Sequence, residues 1–593
     1  MLKMLASLCA ILALALSCGH PTGQQDGAPV ESADAPAAVH PSVAWILACR
    51  AGNGGFGCYP GDSAFTSRTG MALEALQALG ALEGLEGKDE LIAWLRTRQQ
   101  PDGGFIEAAD YYLGKKFPWG SISALEPTYW AARALNLLGA APVDPEAAAG
   151  FVRARLKPNG GYDAYEYAWG GAPEALYTTY WAVGALKELG LPVPDSARTV
   201  EWVRSQQRTR GGRGGFALSD DFFNFSSVAG TYFGVATLGL LGAAPERPAA
   251  VRSFLLSSFG QEPDGGFELG HGDNWNNYDH YSRMHETWCA VDVLARLGTP
   301  LSDRDSSRAG RPATDCAAWI AGCQNADGGF GRFGVTDQTP LLPASEMLPT
   351  WAAVLALRRL GAAVPVPAHP VAPSREFTPH VPANRHPVVD CGDPCEVQAY
   401  RRLALPMYEH FLAATGSRLK ALQMVNRWAR AAVGPENGAW LTGGRGILMH
   451  GWGQCGAMSW LLQGLLTSID YASRASFVIG DVNLEVLVPQ GADSSAHWCL
   501  LIPFTNEMPD PGVAASDGSR NGWSALDLAV DYRLRKDNLN YPSRTRLGDH
   551  LFNTVRIETI DVTTGSWGTE YVLDSLTTYS SPVVEKLYPN GSY

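Results

Sequence analysis

The chain has 593 residues, too many for a single hydrophobic core, and its 46% hydrophobic and 18% charged residues suit an ordinary globular protein of two or more domains. A net charge of −13 with no basic cluster excludes nucleic acid as a partner. Eighteen tryptophans is a high number, and each needs a buried place.

Residues 1–17 have the form of a secretory signal: Lys3, then an apolar run from Leu5 to Leu16 that is too short to span a bilayer comfortably. Ala15-Leu16-Ser17-Cys18 resembles a bacterial lipobox, although leucine is more usual at the place of Ala15. That resemblance implies export, lipidation at Cys18 and a membrane contact through the anchor, in the outer membrane and periplasm or at the cell surface. Residues 18–40 are too polar and too rich in proline and alanine to pack, and form a disordered tether.

Six repeats fill residues 41–364. Each carries a glycine–glycine–aromatic mark, ending at Phe56, Phe105, Tyr162, Phe216, Phe267 and Phe330. An amphipathic helix precedes each mark, as in ELIAWLRTRQQPDGGF, with Trp45, Trp94, Phe151 and Trp319 at matching places. A variable loop and a more apolar helix ending in Leu-Gly follow, as in TYWAARALNLLG and HETWCAVDVLARLG. The glycines suit a tight turn, and the aromatic plugs the gap between hairpins. With one amphipathic and one apolar helix per unit, the apolar set forms an inner ring, and six pairs close into an all-α (α/α)6 toroid. Closure brings repeat 1 against repeat 6, with Cys49 and Cys323 expected at one seam.

These Gln-x-x-Asp-Gly-Gly-Phe units resemble the repeats of protein prenyltransferase β subunits and squalene cyclases. The resemblance implies the toroid fold. It does not carry the activity, because the Asp-x-Cys of the zinc enzymes is missing from the repeats and the acidic Asp-x-Asp-Asp of the cyclases is absent. The loops after the marks supply candidate substrate-binding aromatics: Trp119, Tyr167, Trp169, Phe222, Trp275 and Tyr278. Glu126, Glu174, Glu286 and Glu346 stand near the inner-helix starts, where carboxylates are most simply helix-terminal charges. Glu286 is kept as a substrate-binding candidate, in a pocket for a peptide, glycan or lipid. No cofactor is expected, and no metal: His271, His280 and His285 with Asp273 or Asp279 match no ligand spacing.

Residues 365–389 are a proline-rich linker, and a second domain is expected over 390–593. It begins with two helix-like segments and continues through GWGQCGAMSWLLQGLL into the strand-like runs ASFVIG, LEVLV, HWCLLI and SALDLAV, with TVRIETIDV near the end. Cys455 falls at a helix start, where unpaired N–H groups favour a thiolate. His497 and Asp527 follow on strand-like runs and complete a nucleophile–base–orienter set.

Gly453-Gln454-Cys455, His497-Trp498 and the Trp523–Asp527 segment resemble the transglutaminase-like core, a family of cross-linking enzymes, cysteine peptidases and amidases. The resemblance implies an α+β, papain-like domain with Cys455 as nucleophile, His497 as base and Asp527 as its orienter. Gln454 and Trp452 are candidates for stabilising the oxyanion. Gly456 stands where the animal cross-linking enzymes have tryptophan, which favours hydrolysis.

Of 11 cysteines, eight remain once Cys9, Cys18 and Cys455 are set aside, an even number that permits disulfides without fixing their pairing. Cys316 and Cys323 lie about 10 Å apart along one helix, too far to join. The first reading is therefore an exported, lipid-anchored cysteine amide hydrolase or acyltransferase acting on a protein, peptide or cell-wall substrate that the toroid selects. The second places a prenyl or terpenoid substrate in the toroid, with the C-terminal domain auxiliary. The third is a non-catalytic binding protein.

Overall fold

The computed structural model describes residues 39–108, 123–163, 175–208, 214–218, 226–257, 261–262, 264–268, 282–299, 316–335, 341–367, 394–435, 448, 452–453, 455–478, 481–490, 495–501, 554–560 and 567–574. Twelve helices alternate between two roles. The outer helices are α1 (Pro41–Ala48), α3 (Lys88–Arg96), α5 (Pro145–Arg153), α7 (Ser196–Ser205), α9 (Pro248–Leu255) and α11 (Cys316–Gly322). The inner helices are α2 (Thr66–Ala78), α4 (Leu125–Leu137), α6 (Leu176–Glu188), α8 (Val228–Leu240), α10 (Met284–Arg296) and α12 (Met347–Arg359), each of 13 residues. Each inner helix packs on the next, and α12 returns to α2, so the ring is closed as the repeat pattern predicts.

The marks are the joints of this ring. In the last one, Asp327 accepts a hydrogen bond from Gly329 N at 2.9 Å and from Ser345 Oγ at 2.7 Å, which fixes the turn. Gly328 has φ +90°, and a Cβ there would meet the Pro41 carbonyl carbon at 2.5 Å, so only glycine fits. Phe330, like the other five mark aromatics, is completely buried; burial of this kind stabilises by about 1.5–3 kcal/mol per side chain.

Its backbone N–H donates to Thr350 Oγ1 at 2.9 Å, on the inner helix that follows. The same bond recurs from Phe56 to Thr69, Phe105 to Thr128, Tyr162 to Thr179, Phe216 to Thr231 and Phe267 to Thr287, at 2.9–3.1 Å. Six buried donors, which would each be costly unpaired, are thus satisfied in one way.

The first and last repeats are tied by side chains as well. Ser42 N donates to His40 Nδ1 at 3.2 Å, so the proton lies on Nε2, which donates to Val364 O at 3.2 Å. Ser42 Oγ donates to Gly328 O at 2.8 Å and accepts from Gln324 Nε2 at 3.3 Å. Cys49, Cys58, Cys289, Cys316 and Cys323 are buried. The expectation that Cys49 and Cys323 share a seam is corrected: Trp45, four residues before Cys49, lies on Gly329 of the last mark, whereas Trp319, four residues before Cys323, lies on Gly266 of the mark before it. They hold equivalent places in successive seams, each Sγ donating to the carbonyl four residues earlier at 3.4 Å.

Beyond residues 368–393, which include most of the expected linker, come α13 (Pro394–Thr415), α14 (Arg418–Ala432) and α15 (Cys455–Ser468). Two short pairs, β1 (Phe216–Ala217) with β2 (Ser226–Ser227) in the toroid and β3 (Gly434–Pro435) with β4 (Trp452–Gly453) before α15, precede the longer strands. These are β5 (Ser473–Val478), β6 (Asp481–Gln490), β7 (Ser495–Leu501), β8 (Thr554–Ile560) and β9 (Trp567–Asp574), in an antiparallel sheet ordered β7-β6-β5-β8-β9. A second core of Tyr400, Trp428, Leu461, Leu465 and Val486 joins these helices to the sheet, and Phe333 of the toroid belongs to it.

Candidate functional site

The six inner helices enclose a lumen of about 830 Å³, lined wholly by their own side chains. It has three levels, set by the helical repeat: residues four apart fall on one face.

The middle level is an aromatic belt. Tyr129, Tyr180, Tyr232, Trp288 and Trp351 occupy the same place in successive inner helices, and Gly70 holds that place in α2. Trp130 fills the gap, since a Cβ on Gly70 would stand 2.6 Å from its ring. Neighbouring rings lie 5.5 Å (Tyr129–Tyr180), 5.6 Å (Tyr180–Tyr232), 4.4 Å (Tyr232–Trp288), 4.3 Å (Trp288–Trp351) and 5.6 Å (Trp351–Trp130) apart. The tyrosine hydroxyls form a chain, Tyr232 to Tyr180 at 3.1 Å and Tyr180 to Tyr129 at 3.3 Å. Burial raises the pKa of all three phenols, which keeps them neutral.

Each belt aromatic directly follows the threonine that holds its mark: Thr128-Tyr129, Thr179-Tyr180, Thr231-Tyr232, Thr287-Trp288 and Thr350-Trp351. The threonine turns outward to the joint and the ring turns inward. Sequence reasoning missed this pair, although the Thr–aromatic dipeptide recurs at every inner helix except α2.

The mouth lies at the inner-helix C-termini. Arg133 pairs with Glu74 at 3.0 Å and Glu188 at 3.2 Å. Asp292 is held by Arg296 at 2.5 Å and Arg359 at 2.9 Å. Burial works against the Arg133 charge, but Glu74 and Glu188 outweigh it and raise its pKa. Arginines suit the negative ends of helices, and here they are already neutralised by carboxylates.

The head lies at the inner-helix N-termini and holds Glu126 and His285. Burial, with nearby Glu107 adding to it and Arg68 opposing it, pushes Glu126 up to about 8. Burial lowers His285 to about 3, with Arg332 and Arg68 in support, so the imidazole is neutral. Glu107 is also raised by burial, against hydrogen bonds from Ser67 N at 3.0 Å and Ser67 Oγ at 2.5 Å. Glu126 thus faces the lumen with the neutral form of its carboxyl favoured by burial.

The reading of these carboxylates as ordinary helix-end charges is corrected. Glu346 is buried and paired with Arg332 at 2.5 Å, and Glu286 is 1% exposed, away from the lumen wall, with Oε1 lacking a hydrogen-bond partner. Glu346 is covered by Ala399, Leu403 and Leu448, from far along the chain, which close over this end beside Arg68 and Arg332. Glu174 and the loop aromatics Trp119, Tyr167, Trp169, Phe222, Trp275 and Tyr278 lie outside the described residues, as does Cys18.

In the C-terminal region, Cys455 is the first residue of α15, and His497 lies in β7 opposite Val488 of β6. Trp452 lies in the short strand β4 (Trp452–Gly453), parallel to β3 (Gly434–Pro435). Gln454 and Asp527 lie outside the described residues. The helix start expected for Cys455 and the strand expected for His497 are both present.

The family model "Prenyltransferase alpha-alpha toroid domain" matches residues 4–108 and 167–338. No curated protein sequence matches the chain. Among solved structures, similar ones include Candida albicans protein geranylgeranyltransferase-I complexed with GGPP, at 16% identity over 50% of this chain and 83% of that one, TM-score 0.36. Another is a variant of the type II terpene cyclase MstE from Scytonema, in complex with geranylgeranyl dihydroxybenzoate, at 15% identity over 54% and 94%, TM-score 0.36. A third is a glycosidase in complex with glucose, at 15% identity over 54% and 95%, TM-score 0.34. The fold assignment rests on the closed ring of helices and on the family model: the N-terminal part of the chain is an α/α toroid similar to the prenyltransferase toroid domain.

Proposed function

We propose that the toroid lumen binds a prenyl or terpenoid chain, with Glu126 meeting the end that reaches the head. The observation that carries this reading is the aromatic belt: six neutral rings around a chamber near the large end of the roughly 300–1,000 Å³ usual for ligand sites. Such walls reward contact area and ask for no charge on the ligand. The paired arginines at the mouth hold no guanidinium in reserve for a strongly anionic group except Arg358, whose Nη1 donates to Ala78 O at 2.6 Å. Calorimetric titration with geranylgeraniol tests the reading: saturable binding by the wild type, weakened about tenfold or more in Trp288→Ala, supports it. Equal heats from both proteins would refute it.

A second reading keeps the C-terminal domain as a cysteine acyl-transfer enzyme of the transglutaminase-like type. It is favoured by the position of Cys455 at the start of α15, where the unpaired N–H groups and the macrodipole lower a thiol pKa. In that chemistry the thiolate attacks an amide carbonyl, the C–N bond breaks, and His497 delivers its proton to the departing amine, leaving a thioester for water or a second amine. Asp527 orients His497, and hydrolysis is favoured over cross-linking. The lipobox-like Ala15–Cys18 supports a location at the bacterial envelope; Cys18→Ser should release the protein from membranes in fractionated cells, and unchanged partitioning would reject the anchor.

A further inference from the structure

Two buried arginines of the toroid reach across to the backbone that leads to Cys455. Arg283, immediately before α10 and 5% exposed, donates from Nε to Ala431 O at 2.8 Å. Arg332, 6% exposed, donates from Nη1 to Ala432 O at 3.5 Å and from Nη2 to Leu448 O. Glu346 fixes the guanidinium of Arg332 from the other side, at 2.5 and 3.2 Å. The two segments are themselves tied, because Met284 N donates to Arg332 O at 2.8 Å. Phe333, next to Arg332, packs near Trp428 with ring centroids 6.5 Å apart.

Two of the three acceptors share a place in the fold. Ala431 and Ala432 are the last residues of α14, where helix carbonyls have no partner within the helix and the macrodipole is negative. Val433, the residue that ends α14, is extended at φ −130° and supplies no left-handed cap. The toroid arginines therefore act as the cap. Directly after them β3 pairs with β4 (Gly434 with Trp452, Pro435 with Gly453), and Cys455 begins α15 just beyond β4. Leu448 stands on the other approach to the same pairing.

We infer that Arg283 and Arg332 are positioning residues for Cys455: by holding the carbonyls of Ala431, Ala432 and Leu448, they set the β3–β4 pairing from which the cysteine helix starts. This rests on the second reading, in which Cys455 is the reacting thiol. It makes the toroid part of the thiol site's frame. The same Arg332 also bears on the lumen, since its charge helps to keep His285 neutral.

Arg332→Lys and Arg283→Lys, in the full chain, test this. Lysine keeps the positive charge but not the planar fork that reaches a carboxylate and two carbonyls together. Hydrogen–deuterium exchange should rise over residues 448–460 in both variants while toroid peptides around α4 and α6 stay protected. The pH profile of iodoacetamide labelling at Cys455 should move to higher pH, slowing labelling at pH 7 by roughly tenfold for each unit of thiol pKa. Unchanged exchange in that segment, with an unchanged labelling profile in a folded Arg332→Lys protein, would overturn the inference. Arg283→Lys keeps the test available if Arg332→Lys does not fold. If exchange rises but wild-type Cys455 labels no faster than buried Cys289, the thiol reading fails and the arginine clamp on the segment stands.

Discussion

Trp45, on the first outer helix, covers Gly329, the second glycine of the last mark, so closely that a Cβ on the glycine would lie 2.7 Å from the indole. This contact closes the ring. It repeats between Trp94 and Gly55, Phe151 and Gly104, Phe254 and Gly215, and Trp319 and Gly266. In these five repeats the outer-helix aromatic therefore lies on the glycine of the mark before it.

Gly329→Ala should consequently destabilise the toroid by about 1–3 kcal/mol, the usual cost of overpacking a filled site. Gly322→Ala, where no atom lies within 4 Å of the added methyl, should be neutral or slightly stabilising. Urea unfolding of both variants checks the contrast, and equal midpoints would mean that the seam yields.

Thr231→Val removes the acceptor of Phe216 N and the hydroxyl's own bond to Ser227 O at 2.7 Å, at nearly constant volume. Leaving that buried N–H unpaired should cost about 1–3 kcal/mol. A fall in the thermal midpoint tests this, and exchange of the Phe216 amide should rise with it.

Glu126 gives a pH dependence. Its pKa is raised from 4.5 to about 8, so the folded protein holds a proton that the unfolded chain releases. The stability this provides is fully present below about pH 4.5 and is lost as pH rises through 8. Glu126→Gln should flatten that decline, so the wild type should lose more stability than the variant between pH 5 and pH 8. Parallel urea midpoints across this range would show that Glu126 is ionised in the fold.

Much of the toroid is legible in the sequence because its joints are local: a glycine turn, a following loop, an apolar helix. The Thr350–Phe330 bond and its equivalents are harder to see because variable loops place donor and acceptor 13 to 23 residues apart. Their role is lost in a single spacing, although the Thr–aromatic pairs stand in plain view. The burial of Glu286 and Glu346 is not readable from helical periodicity at all. For Glu346 it depends on Ala399, Leu403 and Leu448 closing over the head, contacts made at long range. For the same reason the arginine cap on α14 has no local signature, whereas the helix start at Cys455 does.

The central claim is that the aromatic belt holds a prenyl or terpenoid chain. A geranylgeraniol analogue carrying a photoreactive diazirine, irradiated with the full-length protein and mapped by mass spectrometry, tests it most directly. The account predicts saturable cross-links to Tyr129, Tyr232, Trp288 or Trp351, displaced by unlabelled geranylgeraniol. Cross-links confined to residues outside the inner helices, or unaffected by the competitor, would contradict it.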